Sequence, residues 1–362
     1  MKYIDEYRQK HFVDALLSRI RKEATGRYHF MEVCGSHTHA IRRFGLPSLL
    51  PDNIRLLSGP GCPVCVTDQR YINKSVALAS TDGTIISTYG DLLRVPGDNK
   101  SLADCREDGC DVRVVYSALD ALALAEQNPD KRVVFLAIGF ETTAPATAIL
   151  IKKSAARNIT NLYILSAHKI MPPAMKAVID DGVTLNGYIC PGHVSTITGS
   201  SIYEPFPKQH NVATVISGFE PTDILQSILM LIRQVNTRDF KTEIQYKRAV
   251  NRAGNPKAKQ VMDEVFELSD DLWRGFGSIP ASGLQLKATY ADFDAERQFD
   301  LTVPAPHLNG GCICGAILKG KKEPEDCPLF ATICTPRNPR GACMVSAEGS
   351  CNAHFKYRNY GK

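Results

Sequence analysis

Three separated runs of cysteine constrain this chain more than any other feature. The first is Glu32-Val33-Cys34-Gly35-Ser36-His37-Thr38-His39. The second is Ser58-Gly59-Pro60-Gly61-Cys62-Pro63-Val64-Cys65-Val66-Thr67-Asp68. The third holds Cys312, Cys314, Cys327, Cys334, Cys343 and Cys351. The rest of the chain reads as a scaffold that brings these thiol stations within working distance. The N-terminus, Met1-Lys2-Tyr3-Ile4-Asp5-Glu6, is charged and lacks the apolar core of a signal peptide. The longest apolar run, around Val133 to Ile138, is too short to span a bilayer. A cytoplasmic location is therefore expected, and in a reducing compartment clustered cysteines point to metal or catalysis rather than to structural disulfides. Cys105, Cys110 and Cys190, outside the runs, read as small buried apolar residues.

A chain of 362 residues is too long for one small core, so two or three domains are expected. With 44% hydrophobic and 22% charged residues it is neither disordered nor membrane-embedded in character. The net charge of +5 is spread along the chain without a basic stripe interleaved with aromatics, which argues against nucleic acid as a partner.

Hydrophobic periodicity predicts an α/β protein. Residues 3–25 read as a helix and Tyr28 to Val33 as a strand. A helix runs from Cys34 through Ile41, with Ser36 as its cap. Strands are expected at Ile54 to Leu57, Thr84 to Thr88, Arg132 to Ile138, Leu162 to Leu165, Tyr188 to Cys190 and Ala213 to Ile216. Helices are expected at 70–78, 116–126, 144–155 and up to Ile232. The almost continuous apolar run of 132–138 fits a sheet covered on both faces. The expected architecture is two facing α/β domains with small, mainly parallel sheets, 1–115 and 116–240. A helical, loop-rich C-terminal domain, 241–362, follows them. Thr84 to Thr88 is placed in the first layer, 241–270 is read as helix-prone, and Trp273 to Pro280 as a turn-rich connection. Gly218-Phe219-Glu220 echoes Gly139-Phe140-Glu141, each after a strand and before a helix.

The cysteine runs fall where strands give way to helices, the place where open α/β sheets bind ligands. Cys62 and Cys65 can form a dithiol redox pair, with a helix N-terminus favouring the thiolate, or can bind a soft metal. His37 and His39 near Cys34 can ligate a metal or tune the thiol. Six cysteines in forty residues, from Cys312 to Cys351, mark a metal site. Paired C-x-x-C knuckles are missing there, which argues against a zinc ribbon, and a Cys-Pro step among cysteine-only ligands is like iron–sulfur binding. Spacing does not fix which four would hold a four-iron cluster. Cys312, Cys327, Cys334 and Cys351 are expected, leaving Cys314 and Cys343 as a redox pair. Glu141, Thr142, Thr143, His168 and His193 sit at strand ends and could donate hydrogen bonds to an anionic ligand.

The combination resembles the HypD family of NiFe-hydrogenase maturation factors. The resemblance rests on Met31 to His39, Gly59 to Thr67, Gly139-Phe140-Glu141-Thr142-Thr143-Ala144-Pro145, Ile189-Cys190-Pro191-Gly192-His193-Val194-Ser195, and Cys343-Met344-Val345-Ser346-Ala347-Glu348-Gly349-Ser350-Cys351. It implies an assembly platform, rather than an enzyme of ordinary turnover, on which iron receives two cyanides and one carbon monoxide. It further implies work with the small chaperone HypC, cyanide from HypE, and delivery to the hydrogenase large subunit. By the same resemblance Cys34, Cys62 and Cys65 would hold the iron, and His37, Thr142 and Thr143 would stand near the cyanide. The C-terminal cysteines would carry a 4Fe-4S cluster able to pass electrons to Cys62 and Cys65. Two other readings compete: a cluster-linked thiol–disulfide oxidoreductase acting on proteins, and a zinc-stabilised binding module.

Overall fold

Alternation along the strands decides the layering. In the strand Arg132–Gly139, Val134, Leu136 and Ile138 enter one apolar core while Val133, Phe135 and Ala137 enter another. Successive side chains of a strand point to opposite faces, so a strand apolar at every position must be covered on both sides. Tyr28 and Phe30 likewise pack on one side of their strand, and Met31 on the other.

The computed structural model describes residues 5–306 and 310–358. Its strands in chain order are β1 Tyr28–Glu32, β2 Ile54–Ser58, β3 Thr84–Thr88, β4 Asp111–Val114, β5 Arg132–Gly139 and β6 Leu162–His168. They continue with β7 Gly187–Pro191, β8 Ala213–Ser217, β9 Thr242–Ile244, β10 Phe266–Trp273 and β11 Gly277–Leu286. One sheet has the order β2-β1-β7-β8-β9 and the other β4-β3-β5-β6. Every pairing within these two sheets is parallel. The α/β class with small parallel sheets is therefore as expected, and most of the expected strands and helices are present.

Strand pairing crosses the expected boundary at residue 115. β3 does not join β1 and β2; it lies between β4 and β5. The chain leaves the first sheet after β2, builds the whole second sheet, and returns to it at β7. A parallel pair needs a crossover connection, and periodicity does not say whether that crossover is one helix or an entire second layer. The boundary at residue 240 also shifts, because β9 completes the first sheet from within the expected third region.

The region 241–270 is helical only over Pro256–Val265. The expected turn-rich connection is the tip and second strand of an antiparallel ribbon, β10 against β11, with Gly275 and Gly277 at φ of 84° and 76°. The ribbon was hard to read because its faces are half exposed and its register shifts between Ser269 and Asp271. The C-terminal block is helical and loop-rich as expected, with short helices Cys314–Leu318, Ala342–Val345 and Ser350–Tyr357. The expected first helix begins at Lys10, after a 3-10 turn Asp5–Tyr7, and Ile4 lies outside the described residues. Among the described residues no helix is long and apolar enough to cross a membrane.

Candidate functional site

Register aligns the strand ends that matter. Glu32, the last residue of β1, pairs with Ser58 at the end of β2 and with Ile189 of β7. The segments after these strands therefore emerge side by side. They face the ends of β3, β4 and β5 across a cleft of about 550 Å³ lined by Cys34, Ser36, Gly61, Pro63, Val64, Tyr89, Asp91, Tyr116, Thr142, Thr143, Pro191 and His193. Ser346 and Glu348 of the C-terminal block close it.

Cys34 is the N-cap residue of the helix Gly35–Arg43. Ser36, expected in that role, sits within the first turn and donates to Glu348 Oε1 at 2.6 Å. Beneath Cys34 lies the buried Glu32, which accepts the Cys34 amide at 3.0 Å and the Thr38 hydroxyl. Burial pushes the Glu32 carboxyl up to about 8. Burial, followed by the nearby Glu348 carboxylate, pushes the Cys34 thiol up to about 12. An isolated Cys34 thus keeps its proton, and a cation arriving at the sulfur must displace it.

The second run presses directly on the first. Gly35 donates to the Gly61 carbonyl at 2.9 Å, and Gly59 donates to the Glu32 carbonyl at 2.9 Å. A Cβ on Gly61 would lie 2.1 Å from the Cys34 amide nitrogen. Cys62 and Cys65 are joined as a disulfide behind the cleft wall made by Gly61, Pro63 and Val64, so of the three thiol positions Cys34 alone lines the cleft. Asp68 caps the next helix by accepting the Arg70 amide.

In the third run all six cysteines are free and line one small cavity, walled by Ile317, Leu329, Phe330 and Met344. Gly341 keeps it open: a Cβ there would stand 3.1 Å from Cys312 Sγ. Hydrogen bonding to Cys314, then burial, pushes the Cys312 thiol up. A sulfur-only donor set in an apolar shell fits a thiolate-bound metal or iron–sulfur group. The short helix carrying Cys343 packs against Pro63–Val66, which carries Cys65, and both belong to one apolar core.

The other expected residues divide. Thr142 and Thr143 line the cleft, although the Thr143 hydroxyl bonds to the Ile138 and Phe140 carbonyls. Glu141 does not line it; the side chain is buried and accepts the Met171 amide at 3.1 Å. His37 does not line it either. Its Nε2 bonds to the Gly218 carbonyl at 2.9 Å and its ring stacks on Phe219 at 4.7 Å. Burial holds this imidazole down to about 4, so it is neutral. His193 stacks on the same Phe219 at 4.0 Å and does reach the cleft. His168 is buried against Thr147. His39 contacts the C-terminal helix through Tyr357. Cys105 and Cys190 are buried and Cys110 half-buried.

Sequence reasoning missed Glu32, Asp91 and Glu348 as site residues. The signal for Glu32 and Glu348 was their place in cysteine-bearing motifs; nothing local marked Asp91. It also missed Glu323, Glu325 and His354, whose ligand atoms lie within 4.8 Å of one another. Arg42 and Arg55 approach Glu323, so this group ties the C-terminal helix to the first sheet as an ion-pair cluster.

Residues 11–358 match the family HypD, described as "Hydrogenase formation hypA family". A Bradyrhizobium diazoefficiens protein named hydrogenase maturation factor HypD2 is 47% identical over 371 residues, spanning 99% of this chain and 98% of that one. The hydrogenase maturation factor HypD of Cupriavidus necator is 46% identical over the same shares. That of Escherichia coli is 41% identical over 99% of this chain and 98% of its own.

Proposed function

The chain belongs to the HypD family of hydrogenase maturation factors, and from that premise we propose that it is the scaffold on which the Fe(CN)2CO group is assembled. Iron is the cargo, held at Cys34 with Cys62 and Cys65 once their disulfide is reduced. The small chaperone HypC shares the iron, HypE supplies cyanide, and the finished group goes to the hydrogenase large subunit. The observation that carries this reading is the packing of Gly61 on the backbone of Cys34, with Glu348 of the third run against Gly35. Three cysteine runs meet at the mouth of one cleft between two sheets.

The cleft chemistry supports the same reading. Thr142, Thr143 and the exposed His193 offer polar groups to small anionic ligands, and Val114, Val115 and Ile138 give the cleft an apolar wall. The arriving iron displaces the Cys34 proton, which leaves to water, and the Glu348 carboxylate stands close enough to favour the incoming positive charge. We assign a 4Fe-4S cluster to four of the C-terminal cysteines, Cys312, Cys327, Cys334 and Cys351. Such a cluster supplies one-electron redox chemistry next to the Cys62–Cys65 pair.

Infrared absorption of anaerobically purified protein, co-expressed with its partners, tests the proposal. Cyanide and carbonyl bands are expected, and they vanish in Cys34→Ala while the brown colour of the cluster stays. Bands that persist in Cys34→Ala remove the iron from this residue. A silent spectrum from cluster-loaded protein favours a second reading, a thiol–disulfide oxidoreductase, for which the disulfide packed beside the Cys343 helix speaks.

A further inference from the structure

The turn between β10 and β11 touches two thiol stations that are far apart in sequence. On one side, the Arg274 amide donates to the Val66 carbonyl at 2.7 Å, and Trp273 bridges to Thr67. Val66 is the residue after Cys65. On the other side, Gly275 lies so close to Gly315 that a Cβ would stand 2.4 Å from its Cα. Gly315 is the residue after Cys314.

The Arg274 side chain strengthens the first contact and answers to the second. Its Nε donates to the Thr67 carbonyl at 3.1 Å and its Nη1 to Gln69 Oε1 at 3.4 Å. Its Nη2 is buried and has no hydrogen-bond partner among the described residues. The next residue of the turn, Gly275, packs against Gly315, so the Arg274 turn lies beside the segment that carries Cys312 and Cys314. A buried donor left without a partner is costly, and a permanently charged group is retained in such a place when an anion faces it. Thiolates holding a metal group are such an anion, and charges around such a group tune its potential.

We propose that Arg274 is a positioning residue that clasps the Cys62–Cys65 turn to the C-terminal cysteine cavity and places one positive charge beside the thiolates there. The inference rests on reading that cavity as an iron–sulfur site. A cation beside the group favours its more negative, reduced state, so it raises the reduction potential. Its neighbour across the clasp is the disulfide that such electrons would reach.

The test compares the full-length protein with Arg274→Lys and Arg274→Gln, measuring iron content and the midpoint potential of the cluster by titration under anaerobic conditions. Arg274→Gln is expected to load iron as the wild type does and to titrate at a more negative potential. Arg274→Lys, which keeps the charge, is expected to recover most of the shift. Equal potentials in all three proteins overturn the proposal, and so does an equal shift in both variants, which would make the effect one of packing. Should Arg274→Gln fail to accumulate, Gln69→Leu removes the Nη1 anchor and leaves the charge. A smaller negative shift supports the proposal there, and an unchanged potential overturns it. Wild-type protein that binds no iron–sulfur group overturns both this inference and the cofactor reading beneath it, whereas equal potentials overturn this inference alone.

Discussion

Gly35 donates its amide to the carbonyl of Gly61 across 2.9 Å, and this bond joins the cysteine run at residue 34 to the run at residue 62. The two glycines serve for different reasons. A side chain on Gly35 would meet Glu348, and one on Gly61 would meet the backbone of Cys34.

Gly61→Ala is therefore expected to be among the most damaging small changes in the chain. The added carbon would stand 2.1 Å from a backbone atom that cannot rotate away. Overpacking of this kind costs about 1–3 kcal/mol, and here it also parts Cys34 from Cys62. Thermal unfolding should show a Tm several degrees lower, and hydrogenase maturation in cells should be lost. A variant with wild-type Tm and full maturation would remove the close approach as a functional requirement.

The six cysteines of the cavity should divide by function. Cys327→Ser and Cys334→Ser are expected to abolish the visible absorption of an iron–sulfur group in anaerobically purified protein. Cys314→Ser and Cys343→Ser are expected to retain most of it and to lose maturation. Retained absorption in Cys327→Ser would show that the ligand set is drawn differently.

Lys169 is buried beneath the ribbon, paired with Asp271, bonded to the Leu272 carbonyl at 3.0 Å, and lies over the Trp273 ring. Removing one partner of a buried pair leaves a charge without compensation. Asp271→Ala should cost about 3 kcal/mol, toward the lower end for such pairs because Asp271 is partly exposed. Lys169→Met combined with Asp271→Leu should cost less than Asp271→Ala alone. Denaturant midpoints of the three proteins decide it, and a double variant weaker than the single one would contradict the account.

Glu141 gives a pH dependence of known sign. Burial lifts its carboxyl from 4.5 in the free residue to about 7. Between those values the native state holds a proton that the unfolded chain has released. Its contribution to stability is thus complete below 4.5 and is lost as pH rises through about 7. Glu141→Gln keeps an acceptor for the Met171 amide and removes the titration. The variant should gain on the wild type by roughly 1–3 kcal/mol between about pH 5 and pH 8, read from urea midpoints. A constant difference across that range would place the proton elsewhere.

Much of this molecule was legible residue by residue. The apolar run 132–138 announced a doubly covered strand, and Val134 and Phe135 do enter different cores. The strand ends at Cys34 and Cys62 and the convergence of the six C-terminal cysteines followed from local pattern and chemistry. His37 and Glu141 did not behave as cleft residues, because His37 lies inside the helix that Cys34 caps and, at the turn after β5, Glu141 and Thr142 face opposite sides. Cys34 and Thr142 reached the cleft, while His37 and Glu141 were committed to backbone partners behind it.

The sequence by itself determined which residues are thiol donors, where most of the parallel strands lie, and that the chain is an α/β protein of the HypD kind. Those properties are local, set by side-chain chemistry and by the periods of helix and strand. Only the tertiary structure decided that β3 leaves the first layer, that Trp273–Gly275 straddles two cysteine stations, and that Glu348 comes beside Cys34. These depend on contacts between residues tens to hundreds of positions apart. Such contacts are fixed by how two covered sheets and a ribbon pack together, and no local periodicity records that packing.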